Sequence, residues 1–312
     1  MTEPARGIHA HPTRKLGKKP PQPGKRALML RDVLTGALPE HPPTADYLLG
    51  IEFGMYRNND WGDCGPTMIA NNRRMVTYDL TGVMQAPTQD DVTDLYVRST
   101  DPPFNPVTSA NDNGVYLQQM LEQVHAGGIG GIRCVAFAKI DVRDHETLRA
   151  ATAIFGAVLY GVDLQTAQQR QTDTGTWDYS PSGEWGGHAV PGGQYDADSL
   201  RIVTWSRLVD MTDQFITHQA DEAWVCIWPE HLGSKAFQQG VDVAKLAAAY
   251  EDLTGDRLPV PPTPTPPAPD SGTTFRLTAP VAAAVGRWAA RHGVPVADAP
   301  NELLRRELHV KG

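Results

Sequence analysis

Cysteine is scarce in this sequence and long apolar runs are missing, and each shortage removes a class of protein. Three cysteines among 312 residues, Cys64, Cys134 and Cys226, are odd in number and widely spaced, which excludes a disulfide-stapled framework. No Cys-x-x-Cys pair occurs and the histidines are scattered, so no metal site is expected. No stretch approaches the roughly 18 consecutive apolar residues that span a bilayer. The basic residues near the start have no apolar core behind them, so no classical secretory signal is expected, and the predicted location is the cytoplasm or a particle assembled there. Aromatic residues make up 7% and charged residues 21%, which suits a globular chain with one sizeable core.

Positive charge is short overall but concentrated at one end. Residues 1–26 carry seven basic side chains against Glu3 alone, so within a net charge of −8 the rest of the chain holds −14. Pro4, Pro12, Pro20, Pro21 and Pro23 interrupt that stretch. Residues 1–27 are therefore expected to form a basic, proline-rich arm without fixed structure, either seeking an anionic or acidic partner or simply solvated. Residues 28–255 form the body. Residues 256–272 form a linker, with seven prolines in 259–269, which predicts an extended spacer. Residues 273–312 regain apolar periodicity and read as a small separate unit.

Within the body, helical periodicity starts at Cys64, with Asp63 in the N-cap position and Pro66 in the first turn. Further helices are expected over 115–125 and 144–154. Strands are expected over 157–164, 188–195, 200–205 and 223–228. Helices first and strands later predict an α+β body in two lobes. The glycine cluster at 127–131 follows a helix and leads toward a strand, the wrong order for a dinucleotide loop, and reads as a connection. No cofactor is expected.

Two short segments carry the chemistry. A cysteine at a helix mouth, as in Asp63-Cys64-Gly65-Pro66, meets unpaired backbone N–H groups that favour thiolate. A histidine entering a strand, as in Trp185-Gly186-Gly187-His188-Ala189-Val190, is placed to take a thiol proton. On this basis Cys64 is expected to be the fast-reacting thiol of the three. Trp177, Trp185 and Trp205 flank the pair, either lining a groove or belonging to the core.

Asp63-Cys64-Gly65-Pro66-Thr67 resembles the nucleophile segment of papain-like cysteine peptidases, most of all the leader-cleaving peptidases of bacteriocin exporters. In those families a glutamine six residues before the cysteine helps to form the oxyanion hole; here that position is Asn58. Their histidine is oriented by an asparagine sixteen residues on, just before a tryptophan; here the position is Thr204, followed by Trp205. Asp196 and Asp198 are alternative orienting groups, but they fall in an expected turn. The stretch 56–232 also resembles papain-like proteins encoded by actinobacteria and their phages.

The resemblance implies a papain-like α+β fold with cysteine on a helix and histidine on an antiparallel sheet. It implies a thiol hydrolase cutting a peptide or isopeptide bond, with Cys64 as nucleophile, His188 as base, Thr204 as orienter and Asn58 as oxyanion donor. The substrate would be a peptide or protein, in a virion, at a cell wall or in the arm itself. Two other readings stand beside it: an inactive scaffold used for attachment in a phage particle, and a DNA-associated protein. The last arises because 273–312 resembles a ribbon-helix-helix unit, in which Thr274, Arg276 and Thr278 would face DNA. The same segment also reads as a homo-oligomerisation module.

Overall fold

The computed structural model describes residues 14–36 and 38–259. The calls on residues 1–13, on the proline-rich spacer beyond 259 and on 273–312 lie outside the described residues.

The elements run α1 (Leu30–Val33), β1 (Ala45–Asp46), α2 (Cys64–Thr81), α3 (Gln89–Ser99), α4 (Leu117–Ala126), β2 (Ala136–Ile140), α5 (His145–Phe155), β3 (Val158–Gln165), α6 (Ala167–Thr174), β4 (Thr176–Trp177), β5 (Glu184–Tyr195), β6 (Ser199–Thr204), β7 (Arg207–Thr212), α7 (Asp213–Gln219), β8 (Ala220–Ile227), α8 (Lys235–Gly240) and α9 (Val243–Thr254). The α+β class is as the sequence predicts, but the order of helices first and strands later holds only through α4, since α5 to α7 alternate with strands and α8 and α9 follow them. The sheet order is β2-β8-β3-β5-β6-β7-β4, with β1 added on β5. Its pairings are antiparallel except that of β4 with β7.

Two large cores and a smaller cluster of Leu48, Met75, Ala157 and Val203 fill the body. On the helical side, Met68, Ile69 and Val76 of α2 pack with Val92, Leu95 and Tyr96 of α3 and with Met120, Leu121 and Val124 of α4. On the sheet side, Val158, Tyr160, Val190, Ile202, Val209 and Phe215 form the centre of a larger cluster.

Helix α2 lies at the boundary between them and packs against β5. Pro66 costs it no hydrogen bond, because first-turn N–H groups have no intrahelical acceptor. The helix ends where Gly82, at φ +71°, turns left-handed and donates its N–H to Tyr78 O, a conformation that glycine adopts without strain. Buried Arg73 is held by a bidentate pair with Glu230, at 3.0 and 2.8 Å, and stacks over Trp228.

The first described segment departs from expectation. Residues 14–27 were expected to lack fixed structure, yet residues 14–19 run across the body as a strap. Lys15 N–H donates to Asn58 O, Lys19 N–H to Val115 O and Val115 N–H to Gly17 O. The charge asymmetry explains the difference. Arg14 pairs with Asp173, Lys18 with Asp221, Lys25 with Glu122 and Arg26 with Asp252. These ion pairs join the described part of the arm to the chain's own body.

Candidate active site

Strand β5 carries His188 at the seam with α2, whose first residue is Cys64. Strand β6 brings Thr204 to the far side of the imidazole. The hairpin joining β5 and β6 closes at Asp196, whose Oδ1 accepts the N–H groups of Asp198 and Ser199 and the Ser199 hydroxyl. Its carboxylate is thus spent on the turn. A register shift between Gly192 and Gln194 lets the strands pass close to α2. A Cβ on Gly193 would stand 2.3 Å from Met75 Cε and 3.1 Å from Gly156 O, so a larger residue there would push the Met75 side chain aside.

His188 Nε2 and Thr204 Oγ1 share a 2.9 Å hydrogen bond. Of the three candidate orienting residues, Thr204, Asp196 and Asp198, it is Thr204 that the fold brings to the ring. His188 Nδ1 is buried and has no hydrogen-bond partner among the described residues. Trp205 stacks on the imidazole with centroids 4.3 Å apart and planes 10° from parallel. It does so from a tight turn in which Trp205 (φ +45°) and Ser206 (φ +57°) are both left-handed, a conformation costing roughly 1–2 kcal/mol per non-glycine residue. Trp177, edge-on to the imidazole at 6.4 Å, and Trp185, tilted against Trp205 at 5.6 Å, are fully buried, so all three tryptophans are core residues and Trp177 and Trp205 also wall the histidine. Sequence reading favours the core for Trp205, and it is buried there.

Cys64 is fully buried. Desolvation pushes its thiol up to about 12, while the backbone N–H groups of Ala189, next to His188, and of Gly17 in the strap act in the opposite sense. Burial likewise pushes His188 down to about 3. The pair therefore rests as neutral thiol and neutral imidazole. In the strapped chain loss of solvent outweighs the helix-mouth field, so Cys64 rests as the thiol. Of the three buried cysteines, Cys134 is the one whose thiol is brought down, by the side chains of Cys226 and His125 acting against its own desolvation.

Asp63 occupies the N-cap position of α2 but makes no side-chain cap bond. Its carboxyl is sealed beneath the helix mouth and burial pushes it up to about 8, so it is largely protonated at neutral pH. Asn58, the expected oxyanion donor, is buried in the loop before α2. Its amide donates to Trp61 O at 3.2 Å and to Lys15 O of the strap at 3.4 Å. The structure therefore brings Asn58 to the cleft wall but engages its amide with backbone carbonyls. Among the described residues no cluster of side chains has the makings of a metal site, and no helix is long and apolar enough to cross a membrane.

No protein-family model matches the chain, and no curated protein matches it either. Solved structures do. Xylellain, a cysteine protease from Xylella fastidiosa, matches with TM-score 0.53 at 14% identity, over 69% of this chain and 97% of that one. The cysteine protease CMS1MS2 of Carica candamarcensis matches with TM-score 0.47 at 12% identity, over 60% and 99%. Bromelain from Ananas comosus matches with TM-score 0.45 at 11% identity, over 60% and 100%. The xylellain likeness spans nearly all of that protease, and with the cysteine-bearing helix laid against the histidine-bearing sheet it establishes that this chain has the papain-like cysteine-protease fold.

Proposed function

We propose that the chain is a cysteine peptidase. The observation that carries the reading is the state of His188: one ring nitrogen is tied to Thr204 and the other is free, on the strand packed against the helix that Cys64 opens. With Nε2–H donating to Thr204 Oγ1, Nδ1 holds the lone pair that takes the Cys64 proton. The thiolate then attacks the carbonyl carbon of a peptide bond. The C–N bond breaks as His188 returns the proton to the departing amine, and a water activated by the same imidazole hydrolyses the thioester. The Cys64 N–H, and the Asn58 amide once Lys15 O has left it, would stabilise the oxyanion.

The same chemistry serves a peptide or an isopeptide bond. A virion or cell-wall setting, oligomerisation through 273–312 and DNA contact by that segment rest on sequence resemblance alone. The test is hydrolysis of an unfolded protein by the full chain and by Cys64→Ala and His188→Ala. Cleavage lost in both variants supports the proposal, and cleavage unchanged in Cys64→Ala overturns it. An inactive scaffold is the second reading, favoured by the complete burial of Cys64. It predicts no cleavage even after the strap has been displaced.

A further inference from the structure

The strap crosses the cleft through a throat made of backbone. A Cβ on Gly17 would lie 1.8 Å from Gly62 O, one on Gly114 would lie 2.1 Å from Gly17 O, and one on Gly187 would lie 2.3 Å from Lys18 O. Gly62 stands two residues before Cys64, and Gly187 immediately precedes His188. Gly17 and Lys18 both donate their N–H groups to Gly187 O, at 3.2 and 3.0 Å. The chain that passes the catalytic pair is thus gripped by its main chain, with no room for a side chain at position 17.

The next residue is gripped by its side chain. The Lys18 side chain is 0% exposed, and its Nζ lies 2.5 Å from Asp221 Oδ2 and 3.4 Å from Asp163 Oδ1. The buried carboxyl of Glu222 lies beside this pair, one oxygen taken by Trp224 Nε1 and the other unpartnered. Gly161 clears the way for the stem, since a Cβ there would stand 2.9 Å from Lys18 Cδ. A buried lysine slot with three carboxylates around it, adjoining a glycine-only throat, is more than a surface strap needs. Taking the ammonium of one lysine out of water is costly unless the site is built for it.

We infer that this cleft selects a glycyl-lysine pair, the throat at Gly62, Gly114 and Gly187 taking the glycine and the slot at Gly161, Asp163, Asp221 and Glu222 taking the lysine. Leu16-Gly17-Lys18 is then a built-in occupant of the substrate path. The inference rests on the peptidase reading of the same cleft, but it can be tested without turnover.

The test reads alkylation of Cys64 in the full-length chain by peptide mapping. Wild type is expected to label slowly. Lys18→Glu, which sets a carboxylate against Asp221 and Asp163, is expected to expel the strap and label at least about tenfold faster, with Lys18→Gln as the milder variant should Lys18→Glu fold poorly. An acetylated, amidated peptide of residues 14–19 should then restore protection. The same peptide with alanine in place of Gly17, or glutamine in place of Lys18, should protect at least about tenfold less well. Equal protection by all three peptides, or by none, overturns the inference. Graded protection without hydrolysis of any peptide would leave the subsites standing and sink the peptidase reading. Hydrolysis indifferent to glycine and lysine would do the reverse.

Discussion

At the scale of single residues, His188 is controlled by two neighbours of different kinds. Trp205 fixes the plane of the ring, and Thr204 fixes the direction of Nε2. A hydroxyl has one rotatable proton and holds an imidazole less firmly than a planar amide. Thr204→Val should lower any hydrolytic rate by roughly ten- to a hundredfold, short of the loss from Cys64→Ala. Thr204→Asn should keep or raise it. Initial rates on a peptide that the wild type cleaves would show this, and a neutral Thr204→Val would remove Thr204 from the site.

Asp63 gives a second prediction at this scale. Its folded value of about 8 lies above the ordinary 3.8, so the folded state binds a proton that the unfolded chain releases. The stability that proton contributes is intact below the ordinary value and is lost as pH rises from there through about 8. Asp63→Asn keeps the shape and removes the ionisation. Its melting temperature should therefore gain on wild type steadily between pH 5 and pH 8 and then level off. A difference independent of pH would show that the carboxyl is solvated. The carboxyl was visible in the sequence as a capping residue, but its burial was not, because capping statistics describe helix ends that face water.

At the scale of elements, the legible parts are those whose local pattern and tertiary role agree. The strand in β8 was read from Ala-Trp-Val-Cys-Ile-Trp and the α2 start from Asp-Cys-Gly-Pro, and both lie within a few residues of expectation. Helix α3 was missed although Thr88 and Asp91 form a reciprocal capping box, a signal present in the sequence and passed over. The strap was illegible for a physical reason. Arg-Lys-Leu-Gly-Lys-Lys has no periodicity, and its order comes from hydrogen bonds and ion pairs to residues 43 to 203 positions away. Backbone amides report this contact directly. Lys19 and Val115, paired across the strap, should exchange slowly in wild type and together become fast in Lys18→Glu, measured by hydrogen–deuterium exchange with mass spectrometry. Fast exchange at Lys19 in wild type would mean that the strap does not stay in the cleft.

At the scale of the whole molecule, both cores close within residues 28–258, with Leu246, Tyr250 and Leu258 as the last contributors. The chain divides by internal contact at Pro261, into units of 1–261 and 262–312. A protein ending at Pro261 should therefore melt within a degree or two of the full chain. One ending at Gly240 strips Val241, Leu246, Tyr250 and Leu258 from the core and should melt at least about ten degrees lower, since removing four buried apolar side chains costs on the order of 6 kcal/mol. Calorimetry on the two truncations checks both statements, and an equal loss in each would place part of the folding unit beyond Pro261.

The strap is joined to the body through residues 20–27, and that tether sets how its occupancy responds to concentration. While the chain is whole, the occupant is present at an effective concentration on the order of millimolar, whatever the dilution of the protein. A single cut between Lys19 and Leu28 would alter no contact in the cleft, yet it would turn a tethered segment into a separate ligand that dilution carries away. The nicked protein should open as it is diluted and close as it is concentrated, whereas in the intact chain the fraction shut does not depend on concentration.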